Sequence, residues 1–168
     1  RILASQHTIS PHRMALSTVN REGTSFTLID DSFNANPDSM KAGLNGLKAW
    51  NSNDGKEPFR VALLGAMLEL GADETALHTS IGTYADELGI DAIIAVGSAQ
   101  DQHLDALAQA LADGARQSQS ASVDCVHDID AAEQLVIDLA RNHPDAVVLL
   151  KGSHASGLSA LAERWAKN

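Results

Sequence analysis

The segment FRVALLG, residues 59–65, indicates the architecture of this chain. It is a continuous apolar run that ends in glycine, without the polar alternation of a strand that has one face in water. Two similar runs, DAIIAVG at residues 91–97 and AVVLLKG at residues 146–152, also end in glycine. Strands of this kind are buried on both faces, which predicts a parallel sheet with helices on either side.

The segments around these strands complete the pattern. The spacing of leucines and isoleucines predicts helices over residues 73–88, 100–113 and 130–142, a weaker strand over 122–128 and a last helix near the C-terminus. Upstream, Met14–Val19 and Phe26–Ile29 flank a turn at residues 20–23 and predict a β-hairpin. The expected fold class is α/β: a β-hairpin, then a mostly parallel sheet of about six strands with helices on both faces.

Composition limits the functional classes. The chain has 168 residues, enough for one domain with a sizeable core, and a net charge of -10. That charge argues against general binding to nucleic acid or to an anionic membrane surface. No apolar stretch reaches the length of a membrane span, and the single cysteine, Cys125, fits a reducing compartment and a place in the core. We therefore expect a soluble cytoplasmic protein that is not inserted in a membrane.

The polar start of the chain predicts the domain boundaries. Residues 1–12 are polar and contain a proline, so we expect an interdomain connector there and one domain over residues 13–168. The chain begins at Arg1 inside that polar segment, and we interpret it as a piece of a longer protein.

The segment LIDDSFNANPDSM, residues 28–40, joins the second hairpin strand to a helix. Asn36 is a favoured N-cap residue and Pro37 fits the first helical position. These two roles leave Asp30, Asp31, Ser32 and Asn34 unexplained in a strand-to-helix loop, which is where open α/β sheets bind ligands. From their type alone, the two aspartates could hold a metal, accept hydrogen bonds from ribose hydroxyls or cap a turn.

Candidate binding residues also lie at three other places in the sequence. Lys151, Gly152 and Ser153 end the last strand, where an ammonium, a backbone N–H and a hydroxyl suit a phosphate or a carboxylate. Arg13 lies at the start of the hairpin and shares an edge with the acidic loop if the two hairpin strands pair. His78 lies on the helix that follows the GAMLELG loop, within possible reach of the sheet edge.

Several kinds of site are not predicted. The sequence has no GxGxxG and no GxxxxGK[ST], so it carries neither a dinucleotide fingerprint nor a P-loop of its own. The seven histidines do not have the spacing of zinc ligands, and no metal site is expected. No nucleophile is paired with a base by spacing, so no catalytic residue is expected in this chain.

Four motifs resemble the Mur ligase family. DDSFNANPDSM, residues 30–40, is similar to the signature loop of the branch that adds D-alanyl-D-alanine to a UDP-N-acetylmuramoyl-tripeptide. VALLGAMLELG (61–71), SPHRM (10–14) and LLKGSHASGL (149–158) resemble further segments of that branch. The resemblance spans from about residue 8 to the C-terminus, which is nearly the whole chain.

The resemblance implies an organisation and a set of partners. Mur ligases have a domain for the UDP-sugar, a central P-loop ATPase domain and a Rossmann-like C-terminal domain that closes over the nucleotide. This chain resembles the third domain alone, so ATP and Mg²⁺ would be bound mainly by the central domain. Its other partners would be D-alanyl-D-alanine, the UDP-N-acetylmuramoyl-tripeptide and the N-terminal and central domains of the same protein.

The resemblance also implies roles for individual residues. At ATP, the resemblance implies that Arg13 contacts the phosphates and Asp31 the ribose, while Asn34 and Asn36 shape the loop. Those expected at the dipeptide or tripeptide are Lys151, Ser153, His154 and His78.

The sequence departs from the family pattern at three positions: Phe33 replaces a tyrosine, Ala66 an aspartate and His154 an arginine. The expected function is the C-terminal part of an ATP-dependent amide-forming ligase of peptidoglycan precursor synthesis, inactive alone. The alternatives are the C-terminal domain of another Mur ligase or a non-enzymatic nucleotide- or peptide-binding module with the same sheet.

Overall fold

A computed structural model describes residues 13–52 and 54–167. The predicted connector, residues 1–12, lies outside the described residues. The strands are β1 (Ala15–Arg21), β2 (Thr24–Asp30), β3 (Arg60–Gly65), β4 (Ala92–Val96), β5 (Ser122–Val126) and β6 (Val147–Lys151). The α-helices are α1 (Pro37–Ala49), α2 (Glu74–Glu87), α3 (Gln102–Ala115), α4 (Ile129–Asn142) and α5 (Leu158–Ala166). Short 3₁₀ turns over Gly71–Asp73 and His154–Ser156 precede α2 and α5.

The six strands form one sheet in the order β1-β2-β6-β3-β4-β5. Only β1 and β2 are antiparallel, and every other neighbouring pair is parallel. The turn between β1 and β2 consists of Glu22 and Gly23, both with positive φ, as a tight two-residue hairpin requires. The predicted hairpin and the predicted α/β class are both confirmed.

The core lies in two layers because alternate residues of each inner strand point to opposite faces of the sheet. On one face, Ala62 and Leu64 pack with buried residues of α1, α2 and α3. On the other face, Val61 and Leu63 pack with α4 and α5. There the rings of Trp165 and Phe26 meet edge-on, with their centroids 5.1 Å apart. Helices therefore cover both faces, as the continuous apolar strands predicted.

Helix α1 begins as the sequence predicts. The Asn36 side chain accepts a hydrogen bond from the Ser39 N–H, and the Ser39 hydroxyl accepts one from the Asn36 N–H. This reciprocal capping box satisfies two backbone donors at the helix start, and Pro37 occupies the first helical position. Met40, Leu44 and Leu47 are fully buried on the inner face of α1.

The buried face of helix α2 does not include Leu77, the one leucine of that helix. Leu77 is only partly buried, whereas His78, Ile81 and Gly82 are buried. On that buried face α2 approaches α3 closely, and a Cβ at Gly82 would lie 1.9 Å from the Leu111 carbonyl oxygen. The backbones of the two helices therefore touch at Gly82.

Two further observations concern the whole described part of the chain. Cys125 is partly buried beside the α3 layer, and burial raises the pKa of its thiol. Among residues 13–52 and 54–167, no helix has the length and apolar character needed to cross a membrane.

Candidate functional site

An open cleft of about 360 Å³ lies at the carboxyl ends of β2 and β6, beside the start of α1. It is lined by Arg13, Met14, Asp31, Phe33, Asn34, Asn36, Ser39, Ala42, Gly43 and Lys151. All four residues expected at ATP therefore line one cleft, together with Lys151. The cleft occupies the edge of the sheet at which open α/β folds bind ligands.

An ion pair between Lys151 and Asp31 forms the inner wall of the cleft. The Lys151 Nζ lies 2.7 Å from Asp31 Oδ2, and the two side chains are 3% and 15% exposed. The same ammonium donates to the backbone carbonyl oxygens of Asn34 at 3.1 Å and of Asp31 at 3.5 Å. The pair thus holds the loop after β2 against the end of β6.

The start of the hairpin reaches the same loop. Because Ala15 pairs with Asp30, the residues before Ala15 lie beside the acidic loop, and the Met14 N–H donates to Asp31 Oδ1 at 3.2 Å. The guanidinium carbon of Arg13 lies 4.0 Å from the centre of the Phe33 ring. Phe33 is 52% exposed, so an aromatic ring with a cation over it forms the outer rim of the cleft.

The two asparagines shape the loop with their carbonyl oxygens. Asn34 Oδ1 accepts from the Ala35 N–H at 2.8 Å, and Asn36 Oδ1 accepts from the Ser39 N–H at 2.9 Å. Within the part of the chain that the structure describes, the side-chain nitrogens of both asparagines make no hydrogen bond. Each therefore presents amide donors at the cleft while its oxygen fixes the backbone.

Asp30 serves a turn. Its Oδ1 accepts from the Ser32 hydroxyl at 2.6 Å and from the Ser32 N–H at 3.2 Å, and the residue is almost fully buried. Of the three roles that the sequence left open for the two aspartates, turn capping fits Asp30. Residues 13–52 and 54–167 contain no group of three or more His, Cys, Asp or Glu side chains placed to hold a metal ion.

Ser153 and His154 closely follow Lys151 in the chain but do not line the cleft that contains it. The Ser153 N–H donates to the Ala66 carbonyl at 2.9 Å, and its buried hydroxyl oxygen has no hydrogen-bond partner among the described residues. His154 lines a second cleft of about 400 Å³ with Ser32, Phe33, Ser159 and Glu163. Phe33 borders both clefts, so the two are adjacent.

His78 lies away from both clefts. It is fully buried, its Nε2 accepts from the Met67 N–H at 2.9 Å, and its Nδ1 lies 2.7 Å from the Glu74 carbonyl oxygen. These two bonds require the neutral ring with the proton on Nδ1, and burial lowers the pKa of the ring. His78 ties the loop after β3 to α2 and has no ring nitrogen left for a substrate.

Comparison with known proteins decides the family. The family profile described as "Mur ligase, glutamate ligase domain" matches residues 12–154. This chain belongs to the Mur ligase family. The family expected from the loop motifs is thereby confirmed.

Curated relatives of this Mur ligase chain carry one name, "UDP-N-acetylmuramoyl-tripeptide--D-alanyl-D-alanine ligase". The protein from Mycobacterium leprae (strain TN) is 36% identical over 170 residues, a match that covers 96% of this chain and 31% of the relative. The protein from Mycobacterium tuberculosis (strain ATCC 25618 / H37Rv) is 38% identical over 163 residues, covering 92% of this chain and 31% of the relative. The chain thus spans about a third of the length of these relatives.

Solved Mur ligase structures have the same fold. A crystal structure of MurF from Acinetobacter baumannii matches with a TM-score of 0.73 and 25% identity, over 97% of this chain and 32% of that one. MurF from Thermotoga maritima in complex with ADP matches with a TM-score of 0.64 and 21% identity, over 96% of this chain and 32% of that one. The second likeness supports the fold alone.

Sequence reasoning missed one residue that shapes this cleft, Gly43. A Cβ at Gly43 would lie 2.8 Å from Lys151 Cδ and 3.4 Å from Asp31 Oδ2, so the lysine stem passes α1 where that helix has no side chain. A glycine inside a helical pattern was the available signal, because it costs helix stability unless packing requires it.

Proposed function

We propose that this chain is the C-terminal domain of a UDP-N-acetylmuramoyl-tripeptide–D-alanyl-D-alanine ligase. The observation that carries the proposal is the convergence of Arg13, Asp31, Asn34 and Asn36 on one cleft, built by the loop in which the resemblance is strongest. The name shared by relatives at 36% and 38% identity supports the choice of reaction within the family.

The lining of the cleft suits an adenine nucleotide. The exposed Arg13 guanidinium is a donor fork for phosphate oxygens, and a carboxylate such as Asp31 accepts from the vicinal hydroxyls of a ribose. Two of the lone-pair sites on Asp31 are used by Lys151 and Met14, which leaves others for a ligand. The amide donors of Asn34 and Asn36 add polar contacts at the same rim.

In the proposed reaction the γ-phosphoryl group of ATP passes to the terminal carboxylate of the tripeptide, which gives an acyl phosphate and ADP. The amine of D-alanyl-D-alanine then attacks the acyl carbon, loses a proton and expels inorganic phosphate, so that an amide forms. Mg²⁺, held outside this chain together with the P-loop, would neutralise charge on the transferring group. This chain contributes closure, which brings the cleft onto bound ATP and excludes water from the acyl phosphate.

The second cleft is the proposed place for the dipeptide. His154 lines this cleft with an exposed ring, next to the nucleotide cleft across Phe33. Ser153, its neighbour in the chain, has a buried hydroxyl without a described partner and lines neither cleft, so its expected contact with the dipeptide stays a prediction. His78 takes no part, because both of its ring nitrogens are occupied within the fold. The cytoplasmic location expected from the sequence stays a prediction.

The test is substrate dependence in the full-length protein that contains this chain. We expect ADP release only when ATP, the UDP-tripeptide and D-alanyl-D-alanine are all present, with a product whose mass equals the tripeptide plus the dipeptide less one water. The isolated 168-residue chain should release no ADP. Release that depends on a single amino acid acceptor would assign the chain to another Mur ligase. Nucleotide or peptide binding without any amide product would support the non-enzymatic alternative.

A further inference from the structure

We infer that Lys151 is a positioning residue that holds the nucleotide loop, residues 31–36, in its binding shape, and does not contact the dipeptide or the tripeptide. This inference rests on the proposed function for the identity of the ligand. It changes the role expected for Lys151 from the sequence, where a lysine beside Gly152 and Ser153 suggested a direct anion contact.

The first argument is a count of donors. A lysine ammonium has three N–H donors and no acceptor. At Lys151 these three face Asp31 Oδ2 at 2.7 Å, the Asn34 carbonyl at 3.1 Å and the Asp31 carbonyl at 3.5 Å. The side chain is 3% exposed, so an incoming carboxylate would have to break one of these contacts to reach it.

The second argument is what the contacts connect. Lys151 ends β6, Asp31 follows β2, and Asp31 Oδ1 accepts from the Met14 N–H at the start of the hairpin. One ammonium and one carboxylate therefore join three segments that are distant along the chain. Two of them carry expected ATP contacts, with Arg13 next to Met14 and Asn34 in the loop.

The third argument is the absence of a side chain on α1 where the Lys151 side chain packs against that helix. The lysine stem crosses α1 at Gly43, where a Cβ would lie 2.8 Å from Lys151 Cδ. A side chain at this helix position would push the ammonium away from Asp31. Gly43 therefore belongs to the same arrangement, and its substitution should reproduce the displacement of the lysine while keeping every charged and polar side chain of the cleft.

The two possible roles of Lys151 predict changes in different Michaelis constants, the KM for ATP and the KM for D-alanyl-D-alanine. If Lys151 positions the loop, its removal weakens the contacts of Asp31 and the asparagines with ATP and leaves those of the dipeptide intact. If Lys151 binds the dipeptide carboxylate, its removal raises the KM for D-alanyl-D-alanine instead.

The experiment uses the full-length protein and four variants. Lys151→Met removes all donors and keeps an unbranched stem, Asp31→Asn removes the carboxylate charge, and the third variant combines the two substitutions. Gly43→Ala obstructs the stem with the lysine retained. The matched control is Lys41→Met, which removes an exposed lysine of α1 that does not line the cleft.

We expect Lys151→Met and Gly43→Ala each to raise the KM for ATP about tenfold or more, the scale of a lost charge-assisted contact. The KM for D-alanyl-D-alanine should change less than about twofold under the same conditions. The effects of Lys151→Met and Asp31→Asn should be less than additive in the double variant, because the ion pair between the two side chains is already lost in either single variant. Lys41→Met should leave both constants unchanged.

Amide hydrogen exchange gives a readout that does not need activity. In Lys151→Met and in Gly43→Ala, the amides of residues 31–36 should exchange faster than in the parent, while Lys41→Met leaves them unchanged. Should Lys151→Met fail to fold, Gly43→Ala, which keeps both charges, carries the same test.

Three results would overturn the inference: unchanged exchange in residues 31–36, a KM change confined to the dipeptide, or additive effects in the double variant. An inactive parent protein whose variants still loosen the loop would instead count against the proposed function and leave the positioning role supported.

Discussion

Replacing Gly82 with alanine should destabilise the chain, because the backbones of α2 and α3 touch at this residue. A Cβ there would lie 1.9 Å from the Leu111 carbonyl oxygen and 2.7 Å from the Ala115 nitrogen. Gly114 makes the reciprocal contact, in which a Cβ would lie 2.0 Å from the Thr79 carbonyl oxygen. All of these neighbours are backbone atoms, so no side chain can rotate out of the way.

The size of the stability loss in Gly82→Ala follows from the geometry of this contact. The two helices would have to separate by about 1 Å to restore ordinary packing distances around the new methyl group. Overpacking of this kind costs about 1–3 kcal/mol. Alanine recovers about 0.5–1 kcal/mol of helix propensity relative to glycine. The net loss in the free energy of unfolding should be about 1 kcal/mol, which lowers the Tm by about 2–4 °C in a chain of this size.

Urea and thermal unfolding of the 168-residue chain measure this loss. Gly46→Ala is the matched control, because its Cβ would meet only the mobile end of the Met14 side chain and it gains the same propensity. We expect the control to be neutral or slightly more stable. A Gly82→Ala protein as stable as the control would refute the close helix contact. The Gly82→Ala/Gly114→Ala double variant should lose less than the two single losses together, since the first methyl already opens the gap.

Three further predictions concern single side chains. His78 should stay neutral in the folded chain at pH values where a free imidazole is protonated, because burial lowers the pKa of its ring. Its contribution to the free energy of unfolding is therefore complete above the ordinary value near 6.5 and is lost as the pH falls through the pKa of the folded state. Ring ¹⁵N spectra and urea unfolding between pH 7.5 and 5.5 would show or disprove this. Glu133→Ala should lower the free energy of unfolding in urea by about 1–3 kcal/mol, because the buried Trp165 indole N–H loses its acceptor at 2.7 Å. Asp130 is an exposed carboxylate on the same helix, and Asp130→Ala should change the free energy of unfolding by less than about 1 kcal/mol. Asn36→Asp keeps the capping oxygen and should unfold like the parent, while Asn36→Ala should lose about 1 kcal/mol; equal loss in both would contradict the capping role.

The fold could be predicted because its determinants are local in the sequence. Apolar runs such as residues 59–65 identify inner strands, and Asn36 with Pro37 identifies the start of α1. The order of the sheet could not be predicted in the same way, since β6 inserts between β2 and β3, both far from it along the chain. That insertion brings Lys151 to Asp31, 120 residues away.

The site was therefore predicted as a set of residues without the contacts among them. The sequence identified Arg13, Asp31 and Lys151, but only the hairpin register and the position of β6 place them in one cleft. The sequence also suggested that Lys151 binds an anion, because burial of its ammonium among loop carbonyls is invisible in a linear pattern. His78 was misleading for a related reason, since the burial of its ring and the two hydrogen bonds that occupy its nitrogens are not visible in the sequence.

The most direct test of this account is the KM for ATP of Asp31→Ala in the full-length protein, measured beside Asp38→Ala. Asp38 is an exposed carboxylate in the first turn of α1 that does not line the cleft. If the loop after β2 is one side of the nucleotide site, Asp31→Ala raises the KM for ATP about tenfold or more and Asp38→Ala leaves it unchanged. Equal KM values in the parent and in Asp31→Ala would contradict the account.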